Sequence, residues 1–247
     1  MISVCIATHN GEKFIKEQLD SILSQLGEYD EVVISDDKSS DSTIRIINSY
    51  GDARIKVFNH EKDIQTNHVG EIVSANFNNA LLKAKGDYIF LSDQDDIWCD
   101  NKVSTMLRYL EKYDVVASNA WLYDGISKDC DETLYNNHSP LKNYRLRKYK
   151  YYGCTMAMTR EAAKYILPIP KRLALYDSWI GLVGELIDGA FYINEPLIYY
   201  RLRTESVSHS IKNSLFYMMK YRLWFYINLI VRVVNVRFIS RNKYKSK

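Results

Sequence analysis

The sequence has few of the residues that interrupt or cross-link a chain. Its 247 residues include only ten Gly and four Pro, and no Gly- or Pro-rich stretch marks a linker between two domains. The four cysteines form no C-x-x-C pair, and no signal peptide precedes the first apolar run. Because hydrophobic residues make up 47% of the chain, we expect one reduced, cytosolic globular domain with an appendage.

Long uncharged runs and C-terminal acidic residues are also missing. From Lys212 onward the chain has Lys and Arg but no Asp or Glu, and its longest uncharged run there, Leu223–Val231, has nine residues. A membrane-spanning helix needs about 20 apolar residues. Basic residues among apolar and aromatic ones are typical of a helix lying on an anionic membrane surface. We therefore predict a basic amphipathic helical tail over residues 211–247, with packing on the domain's own surface as the alternative.

Before this tail, apolar strand-like runs alternate with segments of helical periodicity. "ISVCIAT" has the apolar run of a buried strand, and residues 12–26 place apolar side chains at helical spacing. The alternation predicts an α/β fold with a mostly parallel central sheet flanked by helices. The predicted strands cover residues 2–8, 30–37, 55–60, 87–93 and 114–124, with a strand–turn–strand over 189–202; the predicted helices cover residues 12–26, 39–50, 71–85, 101–113, 159–167 and 176–187.

Three of the predicted strands end on polar residues, in "THN", "SDDKSSD" and "SDQDD". Ligands of parallel α/β sheets bind at the carboxyl ends of the strands, so we expect these segments to converge on one crevice. In the third segment, Asp93 and Asp95 are two residues apart and suit a hard divalent cation such as Mg²⁺ or Mn²⁺. A solvated turn is the alternative. A calcium loop of the EF-hand type is excluded because Trp98 stands where that loop needs Gly.

The order and spacing of four segments resemble those of family 2 glycosyltransferases. The segments are "VCIATHNGEKFIKEQLDSILSQ", "VVISDDKSSDST", "GDYIFLSDQDDIW" and "YDSW", within residues 1–205. The third segment, with the later "INEPLIYYR", is similar to bacterial members that include rhamnosyltransferases. The resemblance implies a GT-A (nucleotide-diphospho-sugar transferase) domain over residues 1–210. It also implies a nucleoside-diphosphate sugar donor, a divalent cation and inversion at the anomeric carbon.

The resemblance further implies roles for individual residues in the first half. Asp36 would accept a hydrogen bond from the base of the donor nucleotide, and Asp93 would face its ribose. Asp95, together with Asp93, would hold the metal. The alternative for Asp36 and Asp37 is a local one, as charged or capping groups at a helix N-terminus. The complete set of predicted nucleotide-binding residues is Ala7, Thr8, His9, Asn10, Asp36, Asp37 and Asp93.

In the second half, the resemblance assigns the catalytic base to Asp177 of "YDSW". Inversion needs such a group to remove the proton of the acceptor hydroxyl as this oxygen attacks the donor. The alternative is that Asp177 caps the following helix. Trp98 and Trp179 are candidates for apolar walls against the sugar or the acceptor, although a tryptophan is more often a core residue.

One element departs from the family's pattern. Many members have Y-R-x-H, whose His completes the metal site, but this chain has Arg203 at the position of that His. Arginine only donates hydrogen bonds and cannot ligate a metal. We therefore predict that Arg201 and Arg203 bind the donor diphosphate, which guanidinium groups do well. His209 is the remaining candidate for the missing metal ligand.

These observations predict an inverting hexosyl- or rhamnosyltransferase. It would move a sugar from a UDP- or dTDP-sugar to a glycan or lipid-linked glycan in bacterial surface polysaccharide (O-antigen or capsule) synthesis. It would be peripheral on the inner face of the cell membrane through its tail, and nucleic acid is not an expected partner. Two alternatives stay open: a non-catalytic nucleotide-sugar-binding subunit, which Arg203 favours, and a nucleotidyltransferase, which also combines an α/β fold with metal-binding carboxylates.

Overall fold

The computed structural model describes residues 1–61, 66, 68–135, 151–187, 189–202, 219 and 221–234. Eight strands in this part of the chain form one sheet. They are β1 (Ile2–Thr8), β2 (Glu31–Asp36), β3 (Ile55–Asn59), β4 (Tyr88–Ser92), β5 (Ile97–Trp98), β6 (Val115–Tyr123), β7 (Met156–Thr159) and β8 (Ala190–Arg201). The helices are α1 (Ile15–Leu23), α2 (Thr43–Asn48), α3 (Val69–Lys83), α4 (Lys102–Leu110), α5 (Arg160–Ile166) and α6 (Tyr176–Leu186), followed by a C-terminal helix over residues 221–234.

The first half of the sheet is parallel, as the sequence predicts. Its strand order is β3–β2–β1–β4, and each neighbouring pair runs parallel. Val4 of β1 packs in one hydrophobic cluster with Leu19 of α1, whereas the adjacent Cys5 packs in a second cluster with Phe77 of α3. Helices therefore cover both faces. This is why these strands are nearly continuous apolar runs in the sequence, without the polar alternation of a strand that faces water.

The second half of the sheet is mixed. β7 lies between β4 and β6 and runs antiparallel to both, β8 runs parallel to β6, and β5 runs antiparallel to β8. The sequence pattern predicts neither β5 nor β7. These strands have two and four residues, which is too short for a hydrophobic period to be read.

β8 is one strand of 12 residues where the sequence pattern predicts a strand–turn–strand. Asn194 and Glu195 fall between the positions that pair with β6, so the register shifts there. The turn signal "NEP" therefore marks a bulge, a place that accepts Pro196 because proline has no N–H to donate to the ladder. Beyond the bulge, β8 continues along β5 and brings Arg201 to the loop that follows β4.

The C-terminal helix lies on the domain with one face. The ring of Phe225 is buried and packs edge-on against Trp179, with 6.2 Å between the ring centres. The hydroxyl of Tyr221 accepts the N–H of Ala174 at 3.0 Å, and Arg232 donates to two carbonyl oxygens near the end of α5 at 2.9 Å each. Part of the predicted tail is therefore a helix that packs on the domain. None of the described helices is long and apolar enough to cross a membrane.

Candidate functional site

The carboxyl ends of β1 and β2 are joined by a short hydrogen-bond network. Thr8 Oγ1 donates to Asp36 Oδ1 at 2.9 Å, and the N–H of Asp37 donates to Thr8 O at 2.9 Å. The Ser39 hydroxyl donates to Asp36 Oδ1 at 2.5 Å, and the Ser39 N–H donates to Asp36 Oδ2 at 2.8 Å. The buried Asp36 carboxylate thus stabilises the turn after β2. This role is local, like the alternative that the sequence analysis gives for Asp36. Its contact with a base stays a prediction.

Asp37 and the exposed residues after β1 share a second network. His60 Nδ1 lies 3.0 Å from Asp37 Oδ1, and both side chains are buried. His9 Nδ1 lies 2.7 Å from the carbonyl oxygen of Asp37. Asn10 has a positive φ of 48° and accepts the N–H of Ser40 at 2.8 Å through Oδ1. Of the four predicted residues at the end of β1, His9 and Asn10 are therefore the ones open to a ligand.

Gln94 connects the end of β4 to the end of β1. Its Oε1 accepts the N–H of His9 at 2.9 Å, and its Nε2 donates to the carbonyl oxygen of His9 at 3.1 Å. A Cβ added at Gly11 would lie 2.6 Å from Gln94 Oε1, so a side chain there would displace this amide. Together with the bond from Thr8 to Asp36, this contact shows that the three polar strand ends lie together at one edge of the sheet.

A buried acidic cluster lies at the carboxyl end of β4. Carboxylate oxygens of Asp93 and Asp96 and the Sγ of Cys154 all lie within 4.8 Å of one another. Asp96 Oδ1 accepts the N–H of Arg201 at 3.0 Å, whereas Asp96 Oδ2 is buried with no hydrogen-bond partner among the described residues. The Tyr176 hydroxyl donates to Asp93 Oδ1 at 3.5 Å. A buried carboxylate oxygen without a partner is costly, so the cluster has a place for a cation.

Burial and mutual repulsion raise the pKa values of both carboxyl groups. The pKa of Asp93 is raised well above its usual range, chiefly by burial and then by the charges of Asp96, Asp95 and Asp177. Burial, followed by the charge of Asp95, raises the pKa of Asp96 to about 7. A divalent cation reverses this effect because it favours the ionised carboxylates. Oxygen ligands of this kind suit Mg²⁺ and Mn²⁺.

The structure adds Asp96 to the predicted metal ligands Asp93 and Asp95. The charge of Asp95 acts on both of its neighbours, but the ligand atoms that converge are those of Asp93 and Asp96. Burial raises the pKa of the Cys154 thiol well above its usual range, and a neutral sulfur is a poor ligand for these hard cations. The carboxylates whose ligand atoms converge for a cation are therefore those of Asp93 and Asp96, and the role of Asp95 as a ligand stays a prediction.

Lys102 is a buried cation beside this cluster. Its Nζ donates to the carbonyl oxygen of Cys154 at 3.2 Å and lies 5.1 Å from the centre of the Trp98 ring. Burial lowers the pKa of Lys102 to about 8, while nearby groups that include Asp96 act in the opposite direction. Lys102 is thus mostly protonated at neutral pH, and it partly balances the carboxylates from inside the domain.

Asp177 lies in the first turn of α6, next to Tyr176. Its Oδ1 accepts the N–H of Ser178 at 2.6 Å, so the carboxylate also accepts a hydrogen bond from the first turn of its own helix. Burial raises the pKa of Asp177 to about 6, and its charge acts on Asp93. Because the adjacent Tyr176 is hydrogen-bonded to Asp93, Asp177 lies close to the acidic cluster. A carboxylate with this pKa is ionised at neutral pH and is more basic than an ordinary aspartate, which suits a general base.

The structure corrects the prediction that Arg201 binds the diphosphate. Its Nε donates to the carbonyl oxygen of Asp95 at 2.8 Å, and its NH2 group donates to the Glu17 carboxylate at 2.6 Å. Only 8% of the side chain is exposed. The guanidinium therefore lies within the protein, bound to the loop that carries the acidic cluster. Arg203 and His209 lie outside the described residues, so their roles stay predictions.

The structure also corrects the prediction of tryptophan walls. Trp98 is 2% exposed and packs against Phe90, and Trp179 is 0% exposed. The Trp179 Nε1–H donates to the carbonyl oxygen of Ile166 at 2.9 Å. Both indoles are therefore core residues. Trp98 lies on β5 and Trp179 on α6, and both side chains point into the protein.

Comparisons with known proteins show the family to which the chain belongs. The family model described as "Glycosyl transferase family 2" matches residues 3–166. The chain belongs to glycosyl transferase family 2. It is 32% identical over 212 residues to the Escherichia coli protein WfaP, named a UDP-Glc:alpha-D-GlcNAc-diphosphoundecaprenol beta-1,3-glucosyltransferase. This match covers 84% of this chain and 80% of WfaP.

Solved structures show the fold of this family member. The structure of S. aureus TarS residues 1–349 with UDP-GlcNAc matches with a TM-score of 0.66 and 22% identity, over 86% of this chain and 62% of that chain. Glucosyl-3-phosphoglycerate synthase from Mycobacterium tuberculosis, solved with Mn²⁺, UDP and phosphoglyceric acid, matches with a TM-score of 0.59 and 20% identity, over 94% of this chain and 78% of that chain. The predicted GT-A fold is therefore confirmed, and the chain is a glycosyltransferase.

The sequence does not predict the roles of four residues that the structure places beside the predicted site residues: Asp96, Tyr176, Gln94 and His60. Asp96 and Gln94 lie inside the "SDQDD" segment, which the sequence does mark as a candidate site. Asp93 and Asp95 are preferred there because they are two residues apart. Tyr176 and His60 reach the site from α6 and from the end of β3. Only the folded arrangement brings them to the strand ends, since nothing in their local sequence marks them.

Proposed function

We propose that this glycosyltransferase transfers glucose from UDP-glucose, with inversion, to an N-acetylglucosamine carried on a lipid diphosphate. The observation that carries the proposal is the placement of Asp177 beside the Asp93–Asp96 cluster, through the hydrogen bond from Tyr176 to Asp93, in a chain 32% identical to WfaP. WfaP is named for UDP-glucose, this acceptor and a β-1,3 linkage. A β-linked product from an α-linked nucleotide donor requires inversion. We therefore prefer a glucosyl over a rhamnosyl donor, and UDP over dTDP.

In this proposal Asp177 is the general base. The acceptor hydroxyl oxygen forms the new bond to the anomeric carbon while the bond from that carbon to the diphosphate oxygen breaks. Asp177 takes the hydroxyl proton, and UDP leaves with the bonding electrons. Tyr176, stacked on Phe77 with 4.3 Å between ring centres and hydrogen-bonded to Asp93, fixes the start of α6 and therefore the position of Asp177.

The other crevice residues bind and orient the donor. His9 and Asn10 are exposed at the end of β1. Gln94 holds the backbone of His9, and the Ser39 hydroxyl, which is bonded to Asp36, accepts the N–H of Asn10 at 2.9 Å. Asp93, Asp95 and Asp96 would hold Mg²⁺ or Mn²⁺, which neutralises charge on a leaving diphosphate when it is bound. Burial and the neighbouring carboxylates raise the pKa values of Asp93 and Asp96, and a bound cation would favour their ionised forms.

The proposal includes docking on the inner membrane surface, where a lipid-linked acceptor is found. One face of the C-terminal helix packs on the domain, and the opposite face carries apolar residues at intervals of three and four positions. An anionic lipid surface is the occupant that matches this face, because the chain from Lys212 onward has basic residues but no acidic ones. The exposed apolar residues of the helix are Leu223, Trp224, Ile227, Ile230, Val231 and Val234.

A transfer assay with a panel of donors tests the proposed function. The purified chain would be incubated with Mn²⁺, a synthetic N-acetylglucosaminyl diphospholipid and UDP-glucose, UDP-galactose, UDP-N-acetylglucosamine or dTDP-rhamnose. We expect product with UDP-glucose and release of UDP. Product with dTDP-rhamnose alone would overturn the donor assignment. Release of inorganic diphosphate would indicate a nucleotidyltransferase, and donor binding without transfer to any acceptor would indicate a binding subunit.

A further inference from the structure

Arg201 makes two polar contacts with the acidic loop after β4 and a third with α1. Its backbone N–H donates to Asp96 Oδ1 at 3.0 Å, and its Nε donates to the carbonyl oxygen of Asp95 at 2.8 Å. Its NH2 group donates to Glu17 of α1 at 2.6 Å. The residue therefore joins the end of β8, the loop with two candidate metal ligands, and α1.

The guanidinium is fixed in orientation as well as in position. It lies 4.7 Å from the centre of the Tyr123 ring and 4.9 Å from the centre of the Phe14 ring. A Cβ added at Gly125, whose φ is +92°, would lie 3.3 Å from Arg201 NH1, so the turn after β6 closes tightly over the group. Aromatic faces on a planar cation and a carboxylate at its edge are contacts that lysine cannot reproduce together.

These contacts restrain the backbone at Asp95 and the side chain of Asp96. The hydrogen bond from Arg201 Nε to the Asp95 carbonyl oxygen limits rotation of the peptide that links Asp95 to Asp96. The Asp96 carboxylate is held separately through Oδ1, which leaves Oδ2 as the oxygen without a described partner. Metal ligands that are already oriented need less reorganisation when the cation binds.

We propose that Arg201 is a positioning residue that preorganises the carboxylates for the divalent cation. Its guanidinium acts on the loop through the Asp95 carbonyl, whereas its backbone N–H, which holds the Asp96 carboxylate, is kept when the side chain is changed. The inference rests on the metal part of the proposed function, but it needs neither a particular sugar nor a particular acceptor. It explains why an arginine in a nucleotide-sugar enzyme is 8% exposed and paired with Glu17.

The test measures Mn²⁺ binding to the protein in the absence of any nucleotide. If Arg201 only bound the donor diphosphate, changing it would not alter Mn²⁺ affinity under this condition. If Arg201 positions the carboxylates, changing it would alter Mn²⁺ affinity. We expect Arg201→Lys to raise the Mn²⁺ dissociation constant by about 10- to 100-fold, the range found when groups that orient metal ligands are removed. Glu17→Gln, which keeps the arginine and breaks only the ion pair, should have a smaller effect in the same direction.

Arg54→Lys is the matched control. Arg54 is also partly buried, pairs with Asp52 at 2.7 Å and donates to the carbonyl oxygen of Leu26 at 2.7 Å, but it contacts no residue of the acidic loop. It should lower thermal stability without changing Mn²⁺ binding. An equal loss of Mn²⁺ affinity in Arg54→Lys, or unchanged affinity in Arg201→Lys, would overturn the proposal.

Amide hydrogen exchange gives a second readout that does not depend on the metal. Arg201→Lys should speed exchange in peptides that cover residues 93–98 without speeding it in β1 or β2. If the wild-type chain binds no Mn²⁺, the metal part of the proposed function fails, and the exchange data still decide whether Arg201 holds the loop. Unchanged exchange over residues 93–98 in Arg201→Lys would contradict the positioning role.

Discussion

The side-chain amide of Gln94 binds the backbone of His9 on both sides. It accepts the His9 N–H at 2.9 Å and donates to the His9 carbonyl oxygen at 3.1 Å. The loop that carries the acidic cluster is therefore joined directly to the loop at the end of β1, which we propose lines the nucleotide. A change at either loop reaches the other through this one amide.

Replacing Gln94 with methionine should weaken UDP binding. The side chain keeps its length but loses both hydrogen bonds, so the backbone at His9 is no longer held in place for the donor. We expect the UDP dissociation constant to rise about tenfold, which is about 1.4 kcal/mol, as measured by isothermal titration calorimetry with Mn²⁺ present. Thermal stability should change little because Gln94 is only partly buried.

Gln25→Met is the control for this experiment. Gln25 is also a bridging glutamine, donating to the carbonyl oxygen of Cys99 at 3.1 Å and accepting the N–H of Val103 at 3.1 Å. These contacts join α1 to the start of α4 and do not involve the residues at the end of β1. UDP binding should be unchanged in Gln25→Met, and a similar loss in both variants would show that the effect is a general one on packing.

Asp177→Asn should greatly slow catalysis and spare donor binding. We expect kcat to fall by roughly 10²–10⁴-fold, the usual contribution of a general base, with UDP affinity within about twofold of wild type. Asp124→Asn, a change at an exposed carboxylate, should leave both quantities unchanged. Retained transfer by Asp177→Asn would remove Asp177 from the mechanism.

The pH dependence of transfer should report the same group. Burial raises the pKa of Asp177 to about 6, and the base works only in its ionised form. The value of kcat/KM should therefore fall tenfold for each pH unit below about 6 and level off above about pH 7. A profile that stays flat down to pH 5 would contradict the assignment.

Asp96→Asn should weaken metal binding although the sequence pattern did not mark Asp96 as a ligand. Asp96 Oδ2 is buried without a described partner, and its oxygens converge with those of Asp93. We expect at least a tenfold rise in the Mn²⁺ dissociation constant, similar to that of Asp95→Asn. Asp100 lies on the same chain segment but is exposed. The control variant Asp100→Asn should therefore bind Mn²⁺ like wild type.

Removing apolar residues from the outer face of the C-terminal helix should reduce membrane binding. Leu223 and Ile230 are each 63% exposed, so a double change to serine removes apolar area without opening the core. We expect co-sedimentation with phosphatidylglycerol vesicles to fall severalfold and binding to neutral phosphatidylcholine vesicles to be weak throughout. Ile126→Ser, at an apolar residue that is 89% exposed elsewhere, is the control, and equal binding of all three proteins would argue against docking by this face.

The sequence predicts the first half of the fold well because long buried strands and amphipathic helices leave clear periods. It predicts β5 and β7 poorly because they are too short, and β8 poorly because the bulge at Asn194 and Glu195 resembles a turn. The convergence of "THN", "SDDKSSD" and "SDQDD" follows from the rule for parallel strand ends. The positions of Arg201, Trp98 and Trp179 do not, because an arginine or a tryptophan beside a site has the same local sequence whether it faces the ligand or the core.

The most direct test of the account is the anomeric configuration of a product made from UDP-glucose and a synthetic N-acetylglucosaminyl diphospholipid. Proton NMR of the purified product distinguishes the two anomers. We predict that the product of the wild-type chain contains a new β-linked glucose. Under the same conditions, we expect no detectable product from Asp177→Asn. An α-linked product, or equal product formation by Asp177→Asn, would contradict the account.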